Sequence, residues 1–214
     1  MDPKELREQV IKDAKCKLIL DAAHAVFAQK GYWDARLEDI AAAVGFSKAS
    51  LYNYYPDKES IFLSLSIREY RGLFEAIDEE SKNEKPFLDS IEAILRIVFG
   101  HFSEHFAFLV NINNFQNMIV LQGDMAKHPE LSGELHALVH KGIFLLKTVV
   151  DRAKDRNAIS PLHDSTTLAI FISSLVQSLQ MLSWQSGRAV DVETAIRQII
   201  NFLKFGAGMV TEKP

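Results

Sequence analysis

The sequence predicts an all-α fold of about nine helices, and three observations carry that prediction. Apolar residues recur at intervals of three and four along nearly the whole chain. No stretch alternates apolar and polar residues as a half-buried strand would. Glycine and proline fall between the periodic segments and seldom inside them. A chain of 214 residues, 48% of them apolar, has ample material for a buried core in one or two domains.

The elements follow in order. A helix from Ala22 to Lys30 ends at Gly31. A second carries Leu37, Ile40, Ala41 and Val44 on one face and stops at Gly45, where the chain must leave through a left-handed conformation. Phe46 anchors the turn in the core. Ser47 is a good N-cap for a third helix starting at Lys48, its hydroxyl accepting an orphan backbone N–H. Pro56 disfavours helical geometry at Tyr55, which limits this helix to about two turns. Asp57 can cap a fourth helix from Lys58 to about Glu80, closed by the polar segment Ser81 to Pro86. Lys58 is a poor choice for the first turn of a helix but suits a phosphate contact. An apolar run from Phe87 to about Val110 is interrupted at Asn111 to Asn114, and a short helix then runs to about Met125. A long helix from Pro129 to about Asn157 precedes a final hairpin, Ser165 to Ser186 and Val192 to Met209, joined at Gly187 and capped by Asp191.

Helix, tight turn and short second helix form the outline of a helix-turn-helix that reads DNA. Lys48 can donate to guanine, Ala49 can touch a thymine methyl, and Asn53 can pair with a base edge or phosphate. Tyr52, Tyr54 and Lys58 bring hydroxyls and an ammonium suited to phosphates, and Ser47, Ser50 and Arg36 complete the expected DNA-facing set. Tyr55 is expected inside. The run from Gly31-Tyr32 through Ile40-Ala41, Gly45-Phe46-Ser47, Leu51-Tyr52, Tyr54-Tyr55 and Lys58-Glu59 resembles the N-terminal domain of the TetR family of transcriptional regulators. The resemblance covers about a quarter of the chain and departs from the family pattern at Arg36, where a capping threonine is usual, and at Ala49, where glycine is frequent. Asp34 is the residue expected to take over the lost cap. The resemblance implies a homodimer on a roughly palindromic double-stranded DNA operator. It divides the chain into residues 1–56, a three-helix helix-turn-helix DNA-binding domain, and residues 57–214, a larger helical ligand-binding and dimerisation domain.

Net charge is −4, and residues 1–60 hold nine basic against ten acidic side chains, so bulk charge argues mildly against nucleic acid. Local placement matters more: Lys12, Lys15 and Lys17 precede the motif helices and Lys48 and Lys58 flank the third, predicting a small focused positive face. No apolar run is long enough to span a bilayer and the N-terminus lacks a secretory core, which gives the expectation of a cytoplasmic protein without a membrane partner. Cys16 is the only cysteine, so neither an intrachain disulfide nor a thiolate cluster forms.

The last two helices are apolar around too much of their circumference for one core face. Phe171, Leu175, Leu179 and Leu182 on the first, with Ile196, Ile199 and Leu203 on the second, are the expected dimer interface. Phe99, Phe102, Phe106, Phe115, Met118, Phe144 and Trp184, with His105 and Gln177 for polarity, are the candidate lining of a pocket for an unidentified small apolar or aromatic effector. No cofactor is implied. His101 with His105, and His136 with His140, lie four apart, and Glu104, Asp124 and His128 extend a metal-compatible set, so a metal-sensing regulator is one alternative. A helical ligand-binding or scaffold protein without DNA binding is another. An enzyme is not expected, because no nucleophile or acid–base constellation has a recognisable spacing. The reading is a ligand-responsive DNA-binding regulator, taken as a repressor.

Overall fold

In the computed structural model, which describes residues 2–101, 127–186 and 191–206, every regular element among the described residues is a helix. They are α1 (Pro3–Asp34), α2 (Leu37–Val44), α3 (Lys48–Tyr52), α4 (Lys58–Ser81), α5 (87–101), α6 (Pro129–Asp155), α7 (Ser165–Ser186) and α8 (Val192–Phe205). The described residues divide into two units, 2–71 with 127–137, and 72–101 with 138–186 and 191–206. Thus α4 and α6 each contribute residues to both. The expected helix between Asn114 and Met125 lies outside the described residues.

In the first unit, α1 begins well before the expected Ala22, with Asp2 as its N-cap and Pro3 opening the helix. Gly31 takes φ 76°, ψ 166°, a combination open in practice only to glycine, and the bend it makes turns Tyr32 back into the core. There the Tyr32 ring lies 4.8 Å from Phe62, and Phe62 meets Phe27 edge-on at 5.4 Å. Ile19, Ile40, Leu51, Ile61 and Leu65 close around these rings. Each such side chain taken out of water contributes roughly 1.5–3 kcal/mol before its loss of entropy. Burial of the phenol raises the Tyr32 hydroxyl above its ordinary pKa, with Glu59 and Asp57 adding to the effect.

The second unit gathers Phe74 and Ile77 of α4, Ile91, Leu95 and Phe99 of α5, Val149 and Val150 of α6, Ala169 and Ile172 of α7, and Ile196 and Ile199 of α8. Its helix ends are closed by local devices, the Asp191 cap among them as expected. Asp164 accepts the Thr167 N–H at 2.7 Å and Asp191 the Thr194 N–H at 3.2 Å. At the far end of α6, Asn157 at φ 54° lets the Ala158 N–H close on Ala153 O at 2.8 Å. Arg152 donates to the Ser81 carbonyl at the end of α4, and Arg96 joins α5 to Glu193 of α8.

Gly142 of α6 sits against the Phe74 ring so closely that a Cβ there would stand 2.7 Å from Phe74 Cζ. Alanine favours a helix over glycine by about 1 kcal/mol, but a methyl here must displace a ring that is buried in the core. Gly142→Ala is expected to destabilise the protein by about 1–3 kcal/mol in a denaturant titration. A stabilised variant would mean that Phe74 moves freely.

Candidate nucleic-acid interface

The turn between α2 and α3 is built almost wholly from local hydrogen bonds. Gly45 stands at φ 75°, ψ 26°, its N–H bonding to Ala42 O at 3.2 Å while the Phe46 N–H reaches Ala41 O at 2.8 Å. Ser47 caps α3 by accepting the Ser50 N–H at 3.0 Å, and the two serine hydroxyls lie 2.8 Å apart. Leu51 is the buried anchor of α3. The helix itself is five residues long, shorter than the expected two turns, because the Tyr54 and Tyr55 N–H groups both fall on Leu51 O and end it. Phe46 is half-buried where a core position was expected, its ring 6.2 Å from Tyr54.

The start of α2 is held differently from expectation. Asp34 does not supply the cap. The Asp39 carboxylate accepts the Arg36 N–H at 2.9 Å, and Lys30 Nζ binds its other oxygen at 2.8 Å. These contacts, the Lys30 bond first, hold the Asp39 carboxyl below its ordinary range. A carboxylate three residues into a helix reaches back to the capping position whatever residue stands there, so arginine is tolerated at 36.

The arrangement leaves Arg36, Lys48, Ala49, Tyr52 and Asn53 exposed, with Tyr54 half-buried beside them and Tyr55 buried as expected. Lys48 pairs with Glu38 and lies 5.9 Å from the Tyr52 ring centroid. Its bond to Glu38 raises the lysine pKa and lowers that of the carboxyl. Lys15 covers Tyr54 at 5.8 Å.

Lys58 revises the expectation of a phosphate contact. Its ammonium donates to Tyr32 O at 2.7 Å, Ala35 O at 2.8 Å and Trp33 O at 3.3 Å, and stands 4.5 Å from the Tyr32 ring centroid. It satisfies the last carbonyls of α1, the negative end of that helix, and so explains a cation in the first turn of α4 without a phosphate. Burial pulls its pKa below the ordinary value, with Asp34 acting in the opposite direction. Beside it Asp57 caps α4 as expected, accepting the Ser60 N–H at 2.8 Å, and His128, just ahead of α6, meets both Asp57 oxygens at 2.9 and 3.0 Å. Burial raises the Asp57 pKa, but the Ser60 and His128 bonds outweigh it and leave the carboxyl below 3.8. Neither the Lys58 nor the His128 contact has a local signal, since their partners are more than 20 residues away.

The candidate effector residues are not brought together by the described chain. Phe102, His105, Phe106, Phe115 and Met118, and the Trp184 side chain, lie outside the described residues. Phe99 is buried in the core, whereas Phe144 and Gln177 are exposed. A cleft of about 110 Å³ in the second unit is lined by Phe87, Val149, Arg152 and Arg156 among others and contains none of the candidates. His136 and His140 are both exposed, and no group of three metal-ligating side chains occurs among the described residues. Of the candidate dimer residues, Phe171 and Leu182 are exposed, Leu175, Leu179 and Leu203 half-buried, and Ile196 and Ile199 sealed within their own unit. These last two are core residues of α8. Phe202 and Phe205, which were not foreseen, are its exposed large apolar side chains.

No helix among the described residues is long and apolar enough to cross a membrane. Residues 19–65 match the model of the bacterial regulatory proteins of the tetR family. The HTH-type transcriptional regulator RutR of Escherichia coli is 28% identical over 141 residues, 66% of this chain and 64% of the relative, so the match spans just under two thirds of that curated protein. The solved structure of the transcriptional regulator FadR from Bacillus subtilis in complex with stearoyl-CoA is similar in fold, with a TM-score of 0.71 and 18% identity over 89% of this chain and 98% of that one. AibR in complex with isovaleryl coenzyme A and operator DNA gives 0.66 and 19% over 87% and 96%.

Lys58→Met, which keeps the stem and removes the ammonium, is expected to cost about 1.5–3 kcal/mol of stability in a denaturant titration by orphaning the carbonyls of α1. A neutral result would mean that water replaces the ammonium at no cost. Because Asp57 titrates lower folded than unfolded, its contribution is complete above pH 3.8 and fades as pH falls through its folded value. Thermal melts across pH 2–5 should show a smaller acid loss for Asp57→Asn, which keeps the cap but not the charge, and equal losses would contradict the assignment.

Proposed function

We propose for this chain, which belongs to the TetR family of bacterial regulatory proteins, the work of a DNA-binding transcriptional repressor that a small apolar effector releases from its operator. The observation that carries the proposal is the α2–α3 turn, where the Gly45 and Ser47 caps and buried Leu51 present Lys48, Ala49, Tyr52 and Asn53 on the open side of one short helix. A major groove about 12 Å wide admits such a helix, and these are the side-chain types that read bases and phosphates there. In this reading Lys48 exchanges Glu38 for a guanine edge or a phosphate, and Tyr54 with Lys15 borders the backbone.

The active species is a homodimer on two half-sites about 34–36 Å apart. Ile170, Phe171 and Leu182 of α7 with Phe202 and Phe205 of α8, 42–67% exposed, supply the apolar surface for a two-fold contact. The apolar part of the effector is the acyl chain of a coenzyme A thioester. Support comes from the acyl-CoA complexes named for two proteins of similar fold. Binding of the acyl chain shifts α4, which carries residues of both units, and changes the separation of the two α3 helices. Effector and operator then oppose each other by the same factor in either direction, as linkage requires.

The test is fluorescence anisotropy of a labelled duplex from the region upstream of the protein's own gene, titrated at several salt concentrations with and without long-chain and branched short-chain acyl-CoA. Binding should weaken with salt, fall at least tenfold with one of the thioesters, and be lost in a Lys48→Ala, Tyr54→Phe variant that melts like the native chain. Binding that no acyl-CoA alters would remove the effector assignment, and a folded chain that binds no duplex would remove the regulator itself.

A further inference from the structure

Residues 2–14 of α1 are exposed on every side, and the helix joins the core only at Ile19. A solvated segment of this length is marginal as a helix in water and needs local support. It has that support: Asp2 accepts the Lys4 N–H at 3.3 Å, Glu5 accepts the Asp2 N–H at 3.1 Å, and Gln9 bonds Asp13 one turn on at 2.7 Å. Its position is set where it enters the domain. Lys15 covers the Tyr54 ring at 5.8 Å and Cys16 neighbours the Tyr55 side chain, so α1 passes the end of α3 at these residues. From there Lys15, Ile11, Arg7 and Lys4 recede along α1 at spacings of four, four and three, one continuous stripe on a helix. Among the described residues no ion pair takes up Lys4, Arg7 or Lys15. Glu8 borders the stripe, while Glu5 and Asp13 are turned away from it by the helical repeat.

We propose that this stripe is a second DNA contact, in which the N-terminal extension of α1 follows the phosphate backbone flanking the site read by α3. The inference rests on the DNA-binding reading above and adds to it a sequence-independent contact outside the helix-turn-helix. Continuity with Tyr54 and the unpaired cations favour duplex over other occupants. Residues 3–14 form about 18 Å of helix, the length of roughly five base pairs. The exposed Leu6, Val10, Ile11 and Leu18 also suit a lipid surface, but an interfacial helix segregates its cations from its apolar face, and here Arg7 and Lys4 lie among the aliphatic residues.

The experiment compares the full chain with Lys4→Gln, Arg7→Gln and with Lys12→Gln, a cation off the stripe, on duplexes ending at the operator or extended by ten base pairs of arbitrary sequence. The native chain should bind the extended duplex more tightly whatever the added sequence. The double variant should lose that gain, bind about tenfold more weakly, and show a log–log salt slope smaller by 1–2, roughly 0.9 for each phosphate contact. Lys12→Gln should match the native chain. Equal affinity for both duplexes with an unchanged slope would overturn the inference while leaving operator reading intact, and an equal loss in Lys12→Gln would reduce it to net charge. Binding to vesicles of anionic phospholipid that only the double variant loses, without change on DNA, would reassign the stripe to lipid. Failure of every chain to bind any duplex would instead reject the regulator reading.

Discussion

A five-residue helix has no stability of its own, and the face proposed to read DNA is carried by such a helix. Everything around α3 compensates for that shortness. The left-handed Gly45 fixes how the chain leaves α2, Ser47 closes the first turn, Leu51 ties the helix to the core, and Tyr55 buries the exit. The support extends outward. Lys58 follows Pro56, and by binding the end of α1 it fixes where α4 begins, while Asp57 holds α4 to His128 at the head of α6. A mobile α3 would lose the orientational advantage that base reading needs, so under the proposed function these contacts matter beyond stability.

The same contacts bear on how an acidic chain could take the polyanionic partner proposed for it. Lys30, Lys48 and Lys58 are engaged by Asp39, Glu38 and main-chain carbonyls. Of the three, Lys48 is exposed and its carboxylate partner is exposed with it, so exchange for a phosphate or base edge sacrifices little. Lys58 is different, because its three carbonyls would be left without a donor. The cations left for the proposed DNA contact are therefore fewer than a count of lysines suggests: Lys48 on α3, and Lys4, Arg7 and Lys15 on α1.

What was legible in the sequence was local. The Gly45 and Ser47 devices, the Asp57, Asp164 and Asp191 caps and the break at Gly31 involve groups a few residues apart, so spacing alone exposes them. The Lys58 and His128 contacts were not legible because they join residues 23 to 71 positions apart. Arg36 looked like a lost cap because the compensating Asp39 also belongs to the helix pattern, and its second role shows only in the bond to the Arg36 N–H. Periodicity marks Ile196, Ile199 and Phe202 alike as apolar. It does not say which of them faces the chain's own unit, and the structure assigns the first two inward and the third outward. The helical extension over residues 3–14 was missed for the opposite reason: with its apolar and charged residues mixed on one side and all of them exposed, it has no core face to read.

The measurement that bears most directly on the account is hydroxyl-radical footprinting of the native chain on DNA upstream of its own gene. A dimer presenting α3 twice predicts two protected segments related by two-fold symmetry and centred about one helical turn apart over a roughly palindromic sequence. A single protected segment, or protection that follows no sequence, would contradict it.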